Sequence, residues 1–249
     1  MKLNGFFRQN PKAALAFSGG VDSAYLLYAA VKYGANVRPY FVKSAFQPRF
    51  ELEDARRLAQ QLGVELIVLP LDILAVPEVA ENPPERCYHC KRAIFSAMTA
   101  AAQRDGYTLL LDGTNASDVE DDRPGMRALR ELKVRSPLRE CGLAKEEIRR
   151  LSREAGLFTW DKPAYACLAT RIPSGTVITA QALERTEAAE NFLFSLGLRD
   201  FRVRLLDGHA RIQVPASHLP IILEHRVEIK TELKQYYSGV LLDLEVRDE

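Results

Sequence analysis

Several common signatures are missing from this 249-residue sequence, and each absence narrows its function. No apolar run approaches the roughly 18 residues that a bilayer span needs. The opening Met1-Lys2-Leu3-Asn4-Gly5 does not look like a signal peptide, so a cytoplasmic location is expected. The formal net charge is only +1, so no global field draws the chain to nucleic acid or to a membrane. Four cysteines in a cytoplasmic chain are expected to be thiols or metal ligands rather than disulfides. There is one tryptophan, Trp160, and His209, His218 and His225 stand isolated. No Gly-Lys-Ser/Thr loop and no Gly-x-Gly-x-x-Gly turn occurs after the first apolar run, which excludes the two commonest nucleotide signatures. Internal repeats and low-complexity tracts are absent too.

What the sequence does have is one organising stretch, Phe17-Ser18-Gly19-Gly20-Val21-Asp22-Ser23. The continuous apolar run Ala13–Phe17 before it predicts a buried parallel strand. The run Ala24–Val31 after it predicts a helix with a broad apolar face. Two glycines in a tight strand-to-helix turn let the backbone approach a ligand, and the helix N-terminus offers free N–H groups to an anion. Ser18, Gly19, Gly20, Asp22 and Ser23 are therefore the first nucleotide-binding candidates. Ser-Gly-Gly-Val-Asp-Ser resembles the PP-loop of ATP pyrophosphatases, which cleave ATP between the α- and β-phosphates and activate an acceptor as its adenylate.

A hydrophobic content of 47% is enough for one α/β domain and a smaller one. Strands are expected at Asn36–Val42, Val64–Leu69 and Tyr107–Leu111, and helices at Glu51–Leu62 and Cys90–Arg104. Strands alternating with helices imply a parallel sheet that binds ligands at the strands' carboxyl ends. Ser18, Ser44 and Asp112-Gly113 fall on that rim, adding Ser44 and Gly113 to the nucleotide candidates. The polar stretch from Asp112 to Arg135, with Asp118, Glu120, Asp121 and Asp122, is either a functional loop or a solvated acidic surface. With Thr159-Trp160-Asp161-Lys162-Pro163 it is expected to shape the substrate side of the pocket. A further helix is expected at Ala144–Ala155. After Pro173 the pattern changes. A strand over Thr176–Thr179, a helix over Ala180–Leu196, a hairpin of Phe201–Leu206 and Ala210–Val214, helix over Ala216–Tyr236 and a last strand at Gly239–Glu245 predict a small ferredoxin-like domain. The predicted division is residues 1–172, a nucleotide domain carrying the cysteines, and 173–249, a small α+β domain.

Cys87 and Cys90 form a Cys-x-x-Cys pair, and Cys167 follows much later. Three soft ligands suit zinc, with His89 nominated as a fourth ligand, or an iron–sulfur cluster with one open iron. A redox dithiol, or four small buried apolar residues, are the other readings. Cys141 stands alone and is read as structural. Arg202 and Arg204 share one face of a predicted strand, as a phosphate contact or as a basic surface.

Over nearly its whole length the chain is similar to the LarE sulfur transferases, a branch of the PP-loop ATP pyrophosphatases. The resemblance is carried by Ser18–Ser23, Arg86–Lys91, Asp112–Asn115 with Arg123-Pro124-Gly125, Trp160–Pro163, and Cys167-Leu168-Ala169-Thr170-Arg171-Ile172-Pro173-Ser174-Gly175. Thr170 and Ser174 depart mildly from the family's usual Ser and Tyr. The resemblance implies a role in making the nickel-pincer nucleotide of lactate racemase. ATP adenylates a carboxylate of a pyridinium biscarboxylic acid mononucleotide, and sulfur then replaces AMP. One branch sacrifices the cysteine matching Cys167 and leaves dehydroalanine; another holds a 4Fe–4S cluster on three cysteines, and Cys87 and Cys90 place the chain there. The cofactors implied are ATP, Mg2+ and that cluster, with a homo-oligomeric assembly and no nucleic acid or membrane partner. In this reading Asp22 or Asp118 holds magnesium and Arg171 offsets charge on the leaving group. Catalysis then falls to Cys167, Asp22, Ser23 and Arg171, substrate binding to Trp160, Arg202 and Arg204, and cluster ligation to Cys87, Cys90 and Cys167. Competing functions are a tRNA thiolation enzyme, disfavoured by the weak charge, and a non-catalytic nucleotide module with structural zinc. An amidotransferase-fed synthetase would need a glutaminase domain, and the chain contains none.

Overall fold

A computed structural model describes residues 2–118 and 124–246. The chain divides into two compact units: residues up to Ile73 together with Glu85–Lys162, and Leu74–Pro84 together with Pro163 onward.

The first unit holds a four-stranded parallel sheet: β1 (Lys12–Ala16), β2 (Asn36–Lys43), β3 (Ile67–Pro70) and β4 (Leu110–Leu111), in the order β3-β2-β1-β4. Strands with one residue facing each side must be apolar on both, and this explains the continuous run at 13–17. Ala13, Leu15, Val37, Phe41 and Leu111 join one core with helices Leu3–Gln9 and Val21–Lys32 and with Ile148. Ala14, Tyr40, Val42 and Leu110 join a second core with Phe95, Met98, Ala101 and Ala102 of helix Arg86–Arg104. Helices thus cover both faces of the sheet. The chain winds outward from β1 to β2 and β3, then returns to place β4 on the other side of β1. That reversal makes the carboxyl end of β1 a topological switch point, where open α/β sheets bind ligands.

β3 begins at Ile67 rather than Val64, and two further elements differ from their predicted bounds for local reasons. The fourth strand begins at Leu110, not Tyr107, because the Tyr107 N–H caps the preceding helix at the Ala102 carbonyl and its hydroxyl bonds Asn36 at 3.0 Å. The cysteine-bearing helix begins at Arg86, four residues before the predicted start, and so takes in both members of the Cys-x-x-Cys pair.

The second unit has a three-stranded sheet: β5 (Arg202–Leu206), β6 (His209–Gln213) and β7 (Val240–Leu242), with β5–β6 antiparallel and β6–β7 parallel. Helix Ala180–Ser195 packs on it, its N-terminus capped by the Thr179 hydroxyl accepting the Ala182 N–H at 3.1 Å. The strand expected at Thr176–Thr179 does not form. That stretch bonds instead to the short piece Leu74–Pro84: the Ile178 N–H donates to the Ala80 carbonyl and the Gly175 N–H to Asn82. Asn82 is buried, with a left-handed backbone (φ 56°). Its side-chain amide donates to the Pro173 carbonyl at 2.7 Å and the Thr176 carbonyl at 3.1 Å. This clamp explains why a segment so early in sequence belongs to the second unit. The division falls at Lys162/Pro163 rather than at residue 173 because 163–172 are held by arginines of the second unit, described below.

Asn82→Ala removes the amide donor of the Pro173 and Thr176 carbonyls and puts a residue with no polar side chain at a left-handed position. It should destabilise the second unit by about 1–3 kcal/mol, measured by chemical denaturation of wild type and variant.

Candidate active site

The turn after β1 is closed by its own serines. The Ser18 N–H donates to Ser23 Oγ at 3.3 Å, the two hydroxyls lie 3.1 Å apart, and Ser23 Oγ–H donates to the Gly20 carbonyl at 3.2 Å. Ser23 is buried, so its hydroxyl shapes the loop from beneath. Gly20 caps helix Val21–Lys32 with extended backbone and no side-chain cap. The first N–H groups of that helix are therefore left for a ligand. Gly19 is left-handed (φ +71°), and a Cβ there would lie 3.1 Å from the Ala55 nitrogen. Gly113, just past β4, approaches still closer: a Cβ would sit 2.9 Å from the Ser23 nitrogen. Both strand ends at the switch point thus meet backbone to backbone, and only glycine permits it.

The described start of the stretch after β4, Asp112–Asp118, is fixed by hydrogen bonds of its own side chains. Asp112 is buried and accepts from the hydroxyls of Thr114 and Ser136, the latter at 2.6 Å. Asp118 accepts the Asn115 N–H at 2.9 Å, and Arg139 donates to the Asp118 carbonyl at 2.7 Å. Glu120, Asp121, Asp122 and Arg123 lie outside the described residues. Asp22, the second residue of its helix, is held by Lys145 Nζ at 2.6 Å and by the Asn115 side-chain amide at 3.3 Å. Lys145 and Asn115 join the site although sequence reasoning gave neither a role of its own. Asn115 lay within a quoted motif, whereas nothing in the sequence links Lys145 to a carboxylate 123 positions earlier.

Ser44 is buried, and its hydroxyl donates to Gln47 Oε1 at 2.7 Å while accepting the Phe46 N–H, which fixes the turn after β2. Trp160 is partly exposed, with the Arg153 guanidinium 4.9 Å over its ring. Its carbonyl accepts from Arg149 at 2.7 Å, and Lys162 pairs with Asp54 at 2.6 Å.

Cys87 and Cys90 lie one turn apart at the start of helix Arg86–Arg104. Cys87 is exposed and takes a contact from the Arg86 guanidinium at 3.7 Å. Cys141 differs: burial pushes its thiol above the ordinary value, which suits a structural residue. No group of three or more His, Cys, Asp or Glu side chains is gathered as a metal site among the described residues. Cys87 and Cys90 belong to the first unit and Cys167 to the second. By donor chemistry, the three thiols are soft ligands suited to zinc or iron–sulfur, and the Asp22 and Asp118 oxygens are hard ligands suited to magnesium.

In the second unit Cys167 caps the 3₁₀ turn Leu168–Arg171. Three arginines, one of them within the turn, bond carbonyls of the turn and of the residues just before it. Arg171 Nη1 donates to Ala166 at 2.8 Å and to Thr170 Oγ1 at 2.8 Å; Arg202 donates to Ala164 at 2.6 Å, and Arg204 to Thr170 at 2.8 Å. Arg171 and Glu190 are each 1% exposed and form a bidentate pair, at 2.8 and 3.1 Å. Glu190 also accepts the Tyr165 hydroxyl and, at 3.0 Å, the Val203 N–H. Arg171, expected beside a leaving group, is thus committed to the architecture of the Cys167 turn, and Arg202 and Arg204 also bond its backbone.

Removing one member of the buried pair leaves the other charge uncompensated. Arg171→Ala should lower the stability of the second unit by about 3–5 kcal/mol, read as a shift of its unfolding midpoint, with the first unit's transition unmoved.

The pattern of the QueC queuosine biosynthesis protein family matches residues 12–80, which span β1 to β3. The chain is 38% identical over 220 residues to an uncharacterized protein of Synechocystis, covering 87% of this chain and 81% of that one. It is 32% identical over 236 residues to the pyridinium-3,5-bisthiocarboxylic acid mononucleotide synthase of Lactiplantibacillus plantarum, covering 94% and 86%. An uncharacterized protein of Methanocaldococcus jannaschii is 30% identical over 239 residues, covering 96% and 91%. A serine-closed, lysine-free anion loop at the switch point, with likeness to the synthase along nearly the whole chain, gives one conclusion: the chain belongs to the LarE family of ATP-using sulfur transferases, on the PP-loop ATP pyrophosphatase fold.

Proposed function

We propose that the chain adenylates a carboxylate of a pyridinium biscarboxylic acid mononucleotide and replaces the AMP with sulfur, giving a thiocarboxylate for nickel-pincer nucleotide biosynthesis. The observation that carries this reading is the 32% identity, over 94% of the chain, to a synthase whose name specifies the bisthiocarboxylic acid product. The loop supplies what the first half-reaction needs. A substrate carboxylate oxygen attacks the α-phosphorus, the bond to the bridging oxygen breaks, and pyrophosphate leaves with the electron pair. The uncapped first N–H groups of helix Val21–Lys32 would meet that charge as it develops. Ser18 and Ser23 hold the loop open for it, and Gly113 fixes its depth. Magnesium accompanying the triphosphate would be held by a carboxylate beside the loop, Asp22 or Asp118, each of which also takes hydrogen bonds within the protein.

The second half-reaction needs a soft sulfur donor. Cys87, Cys90 and Cys167 are proposed to hold a 4Fe–4S cluster, and a cubane on three thiolates supplies one open iron for an exogenous sulfide. The protein's own part is to present Cys167 on a turn that Arg204 bonds at Thr170 and whose approach Arg171 and Arg202 bond at Ala166 and Ala164; we assign the three as positioning residues. Trp160 and the loop after β4 are proposed to face the substrate, in a homo-oligomeric, cytoplasmic enzyme that acts on a small molecule and not on tRNA.

Asp22→Ala and Ser23→Ala should each cut substrate-dependent pyrophosphate release by about 100-fold or more with the fold intact by circular dichroism. Undiminished release in both would overturn the adenylation role of the loop.

Anaerobically prepared protein should contain iron and acid-labile sulfide. Cys→Ala at 87, 90 or 167 should remove both the chromophore and sulfur transfer, and Cys141→Ala neither. Intact mass after several turnovers should be unchanged; a loss of about 34 Da, one hydrogen sulfide, would make Cys167 a sacrificial donor instead.

A further inference from the structure

The sheet of the second unit has one apolar and one polar face. Val203, Ala210, Ile212 and Val214 belong to the core, with Leu242 packed against it. The alternate residues Arg202, Arg204, Arg211 and Gln213 therefore share the opposite face. There Arg202 stands across from Gln213, and Arg204 across from Arg211. Like charges directly opposite each other repel. Asp243, the residue after β7, brings a carboxylate to this face, and its Oδ2 lies 3.5 Å from Arg211 Nε.

The hydrogen bonds on this face form a single relay. The Asp243 N–H donates to the Ile212 carbonyl at 2.9 Å, which sets the residue beside β6. Asp243 Oδ2 accepts from Gln213 Nε2 at 2.7 Å, and Gln213 Oε1 accepts from Arg204 Nε. Arg204 Nη1 donates to the Thr170 carbonyl at 2.8 Å. Thr170 in turn donates to the Cys167 carbonyl through its N–H at 3.0 Å and its hydroxyl at 2.8 Å. A guanidinium only donates and a carboxylate only accepts, whereas a primary amide does both. The Gln213 amide holds the Asp243 carboxyl below its ordinary value, so at neutral pH it is an acceptor. Asp243 therefore decides which end of the amide faces Arg204.

We propose that Gln213 and Asp243 are positioning residues for Cys167. The carboxylate orients the amide, the amide fixes the Arg204 fork, and the fork holds the turn that Cys167 opens. The proposal rests on the assignment of Cys167 to sulfur delivery. It accounts for a neutral amide beside Arg204, where a carboxylate would bind the arginine but stand against Asp243.

The test is the rate at which iodoacetamide alkylates each cysteine of the full-length protein before cluster loading, resolved by peptide mass mapping. In Gln213→Met and in Asp243→Ala, Cys167 should react about threefold faster or more, with Cys87 and Cys141 unchanged. The pair Gln213→Glu/Asp243→Asn exchanges donor and acceptor along the relay, and it should return Cys167 to within about twofold of wild type. In the loaded enzyme, Gln213→Met should lower sulfur transfer more than pyrophosphate release. Unchanged alkylation of Cys167 in Gln213→Met would overturn the relay. So would equal acceleration at Cys87 and Cys141, or an exchanged pair that reacts as fast as Asp243→Ala. If Gln213→Met does not fold, the comparison of Asp243→Ala with the exchanged pair decides. Sulfur transfer that survives in Cys167→Ala would overturn the role of Cys167 alone, because the relay is read from alkylation rates.

Discussion

The first unit depends on one close approach. Past β4 the chain runs so near the first turn of helix Val21–Lys32 that a single methyl at Gly113 would come within 2.9 Å of the Ser23 nitrogen. The lack of a side chain at Gly113 lets the chain past β4 pass close against the helix that follows β1. The rest follows from that constraint. Ser23 must turn its hydroxyl beneath the loop, to Gly20 and Ser18. Asp112–Asp118 must fold over its own side chains, and in doing so it brings Asn115 and, through Ser117, the start of helix Lys145–Glu154 against Asp22. A site made from backbone contacts is stiff, and stiffness is what electrostatic stabilisation of a leaving group requires.

The second unit is governed by a different economy. Arg171 and Glu190 are fully buried, a costly placement unless the geometry satisfies both ions. Here it does: the guanidinium meets the carboxylate, two carbonyls and a hydroxyl, and the carboxylate meets Tyr165 and the Val203 N–H as well. The pair ties the 3₁₀ turn, the helix Ala180–Ser195 and β5 to each other. A four-residue turn cannot hold its own shape, because its carbonyls exceed its internal donors. Arg204 from outside the turn takes the Thr170 carbonyl, and the Thr170 N–H and hydroxyl take the Cys167 carbonyl. Cys167 is thus held by the turn's own backbone and by side chains together.

Much of this was legible in the residues. The loop Ser18–Ser23, its strand and its helix follow from apolar continuity and two glycines, and β2 and the helices at Arg49–Gln61 and Ala180–Ser195 fall within two residues of their predicted bounds. The parallel order was implied by alternation. What local pattern cannot carry is pairing between distant segments. Thr176–Thr179 has the composition of a strand, but the Ala80 carbonyl and Asn82 take its hydrogen bonds. Arg171 reads as a free cation in sequence, since burial is decided by Glu190, nineteen positions on. The division of the chain was displaced for the same reason: Pro173-Ser174-Gly175 looks like a linker, yet Asn82 and Ser174 fasten it inside a unit.

The two kinds of cation in this protein are not interchangeable, and their placement follows their chemistry. Arginine keeps its charge under all conditions and presents a rigid fork, so it suits a permanent bond to carbonyls and a buried carboxylate. Arg171, Arg202 and Arg204 are used in that way, and at least two of them are almost wholly withdrawn from water. Lysine is a compact point charge on a flexible stem, able to keep one partner while turning its other donors to a second. Lys145 is placed in that way beside Asp22, with its Nζ 2.6 Å from Oδ2 and its side chain still about a third exposed. Replacing Arg171 with lysine would keep the charge and lose the second contact to Glu190, together with the grip on Ala166 and Thr170, so the Cys167 turn should loosen even though no charge has been removed.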